Sequence, residues 1–297
     1  MPKMLQNFSG PTNICFTVDK KLLGPKSTNN NSSEVCYSNL STVQNQTSLI
    51  LTFDASDTVA TTGTQSDLAS FAAIGCNGLS VLTGNTFLID EIHPLDANLV
   101  NNQAHTILED MEIVTVKVVQ VGSVENAIAE IVSDYPTMSL LLDPFKSSLP
   151  DFESENGDRL LAIRELIISQ ATLLLISAVD LIRLAETGKE PEASDATIES
   201  DCEYVLVTGI PEQGIDVTNT LFNDAGIVRH DQRQRIPSLH TDTGDTLSTG
   251  ITAALANGLA MSDIVPEAQE FTLASMRHAH TWNGKAHPGS PFLGQRA

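Results

Sequence analysis

At 297 residues, 41% of them apolar, the chain can bury a sizeable core as one large domain or two small ones. Its formal net charge of −21 argues against nucleic acid and anionic membrane as partners, since both need a basic face. With only 16 Lys and Arg, an anionic substrate would need local help from backbone dipoles or a metal.

Residues 1–46 differ from the rest of the chain. "GPKSTNNNSSEVCYSNLSTVQNQT" is polar, Asn- and Ser-rich and short of apolar periodicity. It reads as a partly disordered N-terminal extension in which "NICFTV" is a candidate edge strand. The N-terminus lacks an apolar core of signal-peptide length, and no segment approaches a membrane span, so a cytoplasmic protein is expected. The four cysteines (Cys15, Cys36, Cys76, Cys202) lie far apart without metal spacing and are expected as reduced thiols. The seven histidines show no zinc spacing either.

From residue 47 to 297 the pattern is that of one domain. The runs "SLILTFD", "GLSVLTG", "IVTVKVV", "SLLLDP", "TLLLIS" and "EYVLVTG" are apolar throughout, as buried strands are. Helical patterns separate them: "TQSDLASFAAIG", "DANLVNNQAHTILEDM", "SVENAIAEIVSDY" and "GDRLLAIRELIISQA". Such alternation predicts an α/β fold, a mostly parallel sheet covered on both faces in a three-layer sandwich. "RHDQRQR" (229–235) reads as a solvated hairpin or loop. Two closing helices, about Gly244–Leu259 and Asp263–His280, precede a Gly/Pro-rich tail. In such sheets ligands bind at the carboxyl ends of the strands, which here carry Asp54, Ser56, Asp57, Thr83, Gln120, Asp143, Ser177 and Thr208.

"HTDTGDTLSTGI" (240–251) sets carboxylates beside the bare N–H groups that begin a helix. One reading is helix capping, the other a phosphate cradle with a catalytic base inside it. The sequence has neither a P-loop motif nor a G-x-S-x-G serine-hydrolase context.

Two blocks carry a family resemblance. "LTFDASDTVATTGTQSDLASFAAIGCNGLSVLTG" (51–84) resembles the opening of the bacterial hydroxymethylpyrimidine/phosphomethylpyrimidine kinases, in the ribokinase superfamily, through Ser56, Asp57, Gly63, Gln65, Asp67, Phe71, Ala73 and Gly75. "TDTGDTLSTGITAALANGLAMSDIVPEAQEFTLASM" (241–276) is similar to that family's His-Gly-Thr-Gly-Cys-Thr-Leu-Ser signature and its two closing helices. "VKVVQVGS", "LLLDP" and "GDRLL" add weaker matches, and order and spacing agree from Ser48 to His280. The resemblance implies a ribokinase-like α/β/α sandwich and a phosphotransferase of thiamine biosynthesis. The γ-phosphoryl of ATP would move, with Mg²⁺, to hydroxymethylpyrimidine or its phosphate.

The sequence departs from the family at several positions. Asp245 replaces the signature's cysteine, as in the sugar and pyridoxal kinases of the superfamily, while Asp242 replaces a glycine and Thr241 a histidine. Ala60 and Thr61 replace loop glycines, and the pyrimidine-reading segment shortens to "TGNT" without its glutamine. "ISAVD" and "TGIP" stand for the magnesium and nucleotide motifs, with Thr208 in place of a lysine. Two further readings therefore stand beside the pyrimidine kinase: a catalytically impaired ligand-binding or regulatory member, and a pyridoxal-type kinase. A homodimer is compatible with all three.

By this resemblance Asp245 is the base and the N–H groups of Thr243, Gly244 and Asp245 are the anion hole. Asp67, Ala55 and Asp57 would face the substrate, and Thr208 and Gly209 the nucleotide. Ser177 and Asp180 fit either a water-mediated magnesium site or an N-cap with a first-turn acid. The alternatives for Asp67 and Asp57 are an exposed first-turn carboxylate and a turn aspartate. Lys117 sits in an apolar strand, where a lysine is costly unless it reaches a partner at the crevice or snorkels out.

Overall fold

The computed structural model describes residues 15–16, 35–36, 47–57, 62–86, 92–119, 124–144, 163–186, 202–211, 216–234, 243–278, 280–282 and 285–287. The chain divides into two compact units, residues 1–46 and 47–297. In the first, β1 (Cys15–Phe16) pairs antiparallel with β2 (Val35–Cys36).

In the second unit the elements run β3 (Leu49–Asp57), α1 (Gly63–Ile74), β4 (Asn77–Thr86), β5 (Ile92–Pro94), α2 (Ala97–Leu108), β6 (Thr115–Val119), α3 (Glu125–Asp134) and β7 (Ser139–Asp143). Next come α4, an irregular helical segment with a π turn at Ile163–Ile167 and a 3-10 turn at Ile168–Gln170, then β8 (Leu173–Ser177), α5 (Ala178–Glu186) and β9 (Tyr204–Pro211). The hairpin β10 (Asp216–Asn223) and β11 (Gly226–Gln234) precedes α6 (Thr243–Ala256) and α7 (Met261–Arg277), and β12 (His280–Trp282) pairs with β13 (Lys285–His287).

Nine strands form one sheet in the order β11-β10-β9-β8-β7-β6-β3-β4-β5. The six from β9 to β4 along that order run parallel, and β5, β10 and β11 join antiparallel at the two edges. Alternate residues feed two separate cores, which is why these strands read as continuous apolar runs. Leu51, Phe53, Val116, Val118, Leu140, Leu142, Leu174 and Ile176 pack beneath α2, α3 and α4. Leu141, Leu173, Leu175 and Leu206 pack beneath Leu247 and Ile251 of α6 and Ile264, Val265 and Ala268 of α7. Ile50 packs with Phe71 of α1 and Ala253 of α6. The expected three-layer α/β sandwich is thus the observed one.

After β3 the chain adds β4 on one side and returns to place β6 on the other. That reversal of order opens a crevice at the carboxyl ends of β3 and β6. The β3–β4 register slips between Asp54 and Ala55, a bulge that re-aims the end of β3 at this point.

One sequence expectation holds in the hairpin form and three need correction. The run 229–235 lies largely within β11, paired with β10, so the hairpin alternative holds over its described part. β10 and β5 carry no apolar run and are absent from the sequence-based pattern, and the tail contains the β12–β13 hairpin. The closing helices run Thr243–Ala256 and Met261–Arg277, each ending a turn or so before its expected limit. Thr241, Asp242, Gln120, the segment "GDRLL" and loop residues Ala60 and Thr61 lie outside the described residues.

Candidate active site

Lys117 is the third residue of β6, beside Thr52 of β3, and its side chain has no exposed surface. It does not snorkel. Its ammonium lies 2.5 Å from Asp67 Oδ1, 2.7 Å from Asp245 Oδ1 and 2.8 Å from Thr249 Oγ1. An ammonium has three N–H donors, and three acceptors receive them. Thr52 and Asp54 share the inner face of β3, two residues apart, as the strand period requires. Asp67 comes from α1, while Asp245 and Thr249 come from one face of α6, four residues apart.

The hydrogen bonds close around this centre. Thr52 Oγ1 donates to Asp67 Oδ2 at 2.5 Å, and Thr249 Oγ1 lies 2.6 Å from Asp67 Oδ1 and 2.8 Å from the Asp245 carbonyl. The single Thr249 hydrogen serves one of those two oxygens at a time. Gly63 N–H points to Asp245 Oδ2 at 3.3 Å, so Asp245 also caps the N-terminus of α1. Gly63 has φ +70°, and a Cβ there would stand 2.3 Å from the Ala55 carbonyl oxygen. Only glycine lets α1 start this close to the end of β3.

Carboxylate oxygens of Asp54, Asp67 and Asp245 lie within 4.8 Å of one another, an arrangement that could hold a cation. The Lys117 ammonium supplies that cation from inside the fold. Burial alone would push the Lys117 pKa down, but Asp245, Asp67 and Asp54 outweigh it and hold the ammonium above its ordinary range. Asp67 is raised too, by burial first and by the Asp245 charge, against the lowering effect of Lys117. The two shifts have different causes: burial disfavours the Asp67 charge, whereas the surrounding carboxylates favour the Lys117 charge.

The expected site residues distribute unevenly. Asp245 is on the first turn of α6 and almost buried, Thr243 is half-buried beside it, and Gly244 is exposed with open space around it. Their N–H groups belong to the first helical turn, which has no intrahelical acceptors. Asp67, expected to face the substrate or else to be an exposed first-turn carboxylate, is completely buried and spends both oxygens on Lys117, Thr249 and Thr52. Ala55 is buried as well, with its N–H given to Asp54 Oδ1 at 2.7 Å. Asp57 is half-buried and braces the loop before α1: its Oδ2 accepts from Thr62 N–H, and its own N–H donates to Gln65 Oε1. Gln65 also donates to Ser56 Oγ at 2.6 Å.

Ser177 and Asp180 form a cap on α5. Ser177 Oγ accepts from Asp180 N–H at 3.1 Å and donates to Asp180 Oδ2 at 2.5 Å. Thr208 and Gly209 stand near the end of β9, with Thr208 Oγ1 3.5 Å from the Ile176 carbonyl and Gly209 N–H donating to Asn219 Oδ1. They lie on the far side of β8 and β7 from Lys117 in the sheet order.

Sequence reasoning singles out Lys117 but misses Thr249 and Thr52 as its neighbours. The spacing carries the signal: Thr249 comes one helical turn after Asp245, and Thr52 precedes Asp54 by one strand period.

Comparison with known proteins places this geometry in context. The profile described as phosphomethylpyrimidine kinase matches residues 57–290. A hydroxymethylpyrimidine/phosphomethylpyrimidine kinase of Haemophilus influenzae is 28% identical over 252 residues, covering 77% of this chain and 91% of that one. A chloroplastic thiamine biosynthetic bifunctional enzyme of Arabidopsis thaliana is 30% identical over 75% of this chain, which spans 45% of that longer protein. In fold, the chain is similar to a Bacillus subtilis pyridoxal kinase solved as an ADP complex, with a TM-score of 0.72 at 20% identity, covering 83% of this chain and 98% of that one.

Proposed function

The chain belongs to the phosphomethylpyrimidine kinase family and is a kinase-type enzyme, and we propose that it phosphorylates hydroxymethylpyrimidine or its phosphate with ATP, as a step of thiamine biosynthesis. The observation that carries this reading is the placing of Asp245. A carboxylate fixed by Lys117 stands on the same helical turn as the exposed Gly244 N–H group.

The acceptor hydroxyl oxygen forms a bond to the γ-phosphorus while the bond from that phosphorus to the β–γ bridging oxygen breaks, and ADP leaves. The hydroxyl proton passes to Asp245 and from there to solvent. Backbone N–H groups of Thr243, Gly244 and Asp245 hold the transferring phosphoryl, where the helix dipole favours negative charge. Base and cradle are neighbours because the proton must leave where the new bond forms.

ATP is the expected nucleotide, with Mg²⁺ carried on its phosphates to neutralise their charge. Ser177 and Asp180 do not fit as direct magnesium ligands, since each is the other's partner in the α5 cap. Asp67 is reassigned from substrate contact to the interior of the site, and Asp57 with Gln65 to the loop that would border the acceptor. The pyridoxal-type reading draws on Asp245, the base residue of those kinases. A non-catalytic role draws no support from the relatives, which are enzymes by name.

The test is a product assay on the full chain with MgATP and, in separate reactions, hydroxymethylpyrimidine, its phosphate and pyridoxal. Phosphoryl transfer to a pyrimidine is expected, and Asp245→Asn should lower kcat by about 10²-fold or more. Transfer to pyridoxal alone would move the chain to the second reading. Absence of transfer to every acceptor would overturn the kinase assignment.

A further inference from the structure

A buried base that accepts a proton changes the charge of its surroundings, and in the interior that change has to be compensated. Asp245 shares its Oδ1 with the Lys117 ammonium, while its Oδ2 has the longer Gly63 N–H contact at 3.3 Å. If Lys117 had Asp245 as its sole partner, protonating Asp245 would leave an uncompensated cation in the core, and the carboxylate would resist the proton. Asp67 removes that penalty. It sits 2.5 Å from the same ammonium, with Thr52 and Thr249 as further donors, and has no exposed surface through which water could replace it.

We propose that Lys117 and Asp67 are positioning residues of the phosphoryl-transfer site: Lys117 fixes the Asp245 carboxylate at the start of α6, and Asp67 is the standing counter-ion that lets Asp245 take up and release a proton without stranding a buried cation. This rests on the reading of Asp245 as the base. Among the described residues, the charged groups facing Asp245 are Lys117 from β6, Asp67 from α1 and Asp54 from β3, with the uncharged Thr249 on its own helix. The Lys117 and Asp67 side chains are both without exposed surface.

The experiment compares pH profiles of kcat for the full-length wild type, Asp67→Asn, Lys117→Met and the double variant. Asp67→Asn leaves Lys117 facing Asp245 with less opposing charge, so the acid limb should move down by about one pH unit and plateau kcat should fall about tenfold. Lys117→Met should move the limb up by about one unit, since a favourable cation is lost. The double variant removes one charge of each sign and should bring the limb back to within about half a unit of wild type. KM for ATP and for the acceptor should stay within about threefold in Asp67→Asn, the split expected of a group that touches neither.

An unmoved limb with unchanged kcat in Asp67→Asn would overturn the proposal, as would a raised KM with kcat and limb intact, the mark of a ligand contact. If the variants do not fold, carboxylate ¹³C NMR of the wild type decides: Asp67 should remain ionised while Asp245 titrates, and an Asp67 that protonates first would overturn it. An inactive wild type defeats the kinase reading separately, because the NMR titration needs no turnover.

Discussion

Gly63 ties the two helix starts of the site together. Its φ of +70° is strained for any side chain, and a Cβ would meet the Ala55 carbonyl at 2.3 Å, so the backbone of α1 would have to withdraw. The Gly63 N–H would then leave Asp245 Oδ2. Gly63→Ala should destabilise the protein by about 2–3 kcal/mol or more, beyond the ordinary left-handed penalty, and lower kcat as well. Gly209→Ala is the control, because Gly209 has φ +69° but open space around it, and about 1 kcal/mol is expected. Equal losses in chemical denaturation would show that the close approach to Ala55 contributes nothing. At this scale the sequence told half the story. The identity of Asp245 and its place on a helix start were legible from the signature. The burial of Asp67 was not: α1 starts at Gly63, which puts Asp67 on the second turn and not the first, and the return of β6 beside β3 brings Lys117 to it.

The elements show where pattern reading succeeds. The six parallel strands are apolar on both faces, so each was visible as a continuous run, and α1 to α4 came from their periodicity, whereas α5 was signalled only by the candidate Ser177–Asp180 cap. β10 escaped, and β11 was visible only as a hairpin or loop, because "DVTNTLFN" and "GIVRHDQRQ" carry polar residues that an edge hairpin tolerates and a central strand would not. α6 is the opposite case, a helix buried from Asp245 to Ala254 although it carries Thr246, Ser248, Thr249 and Thr252. Ser248 and Thr252 reach carbonyls three and four residues back on the same helix, which satisfies their hydroxyls locally, and Thr249 has the Asp245 carbonyl or Asp67 for its one hydrogen. Small residues then let α7 approach: a Cβ on Gly250 would lie 3.2 Å from the Ala268 Cα and 3.3 Å from Phe271. Gly250→Leu should push the helices apart and cost about 1–3 kcal/mol, read as a lowered denaturation midpoint. A leucine accommodated without loss would mean that the α6–α7 contact is not tightly packed and does not hold the site in place.

For the whole molecule the question is which residues make the folded unit. No helix among the described residues is long and apolar enough to cross a membrane, and the chain's compact division falls between Gln46 and Thr47. All residues of the Lys117 box lie after that point. The sequence before that point is polar and Asn- and Ser-rich, a composition that offers little apolar surface to a shared core. The proposal is therefore that residues 47–297 are the autonomous kinase domain. Expressed alone, they should melt within about 5 °C of the full chain and retain its turnover within about twofold. Ser48 Oγ donates to the Ala256 carbonyl, tying the first described residues of this unit to the end of α6, so a cut beyond residue 48 should begin to lower stability. A 47–297 fragment that aggregates or loses turnover would make the first 46 residues a working part of the enzyme and move the domain boundary to the start of the chain.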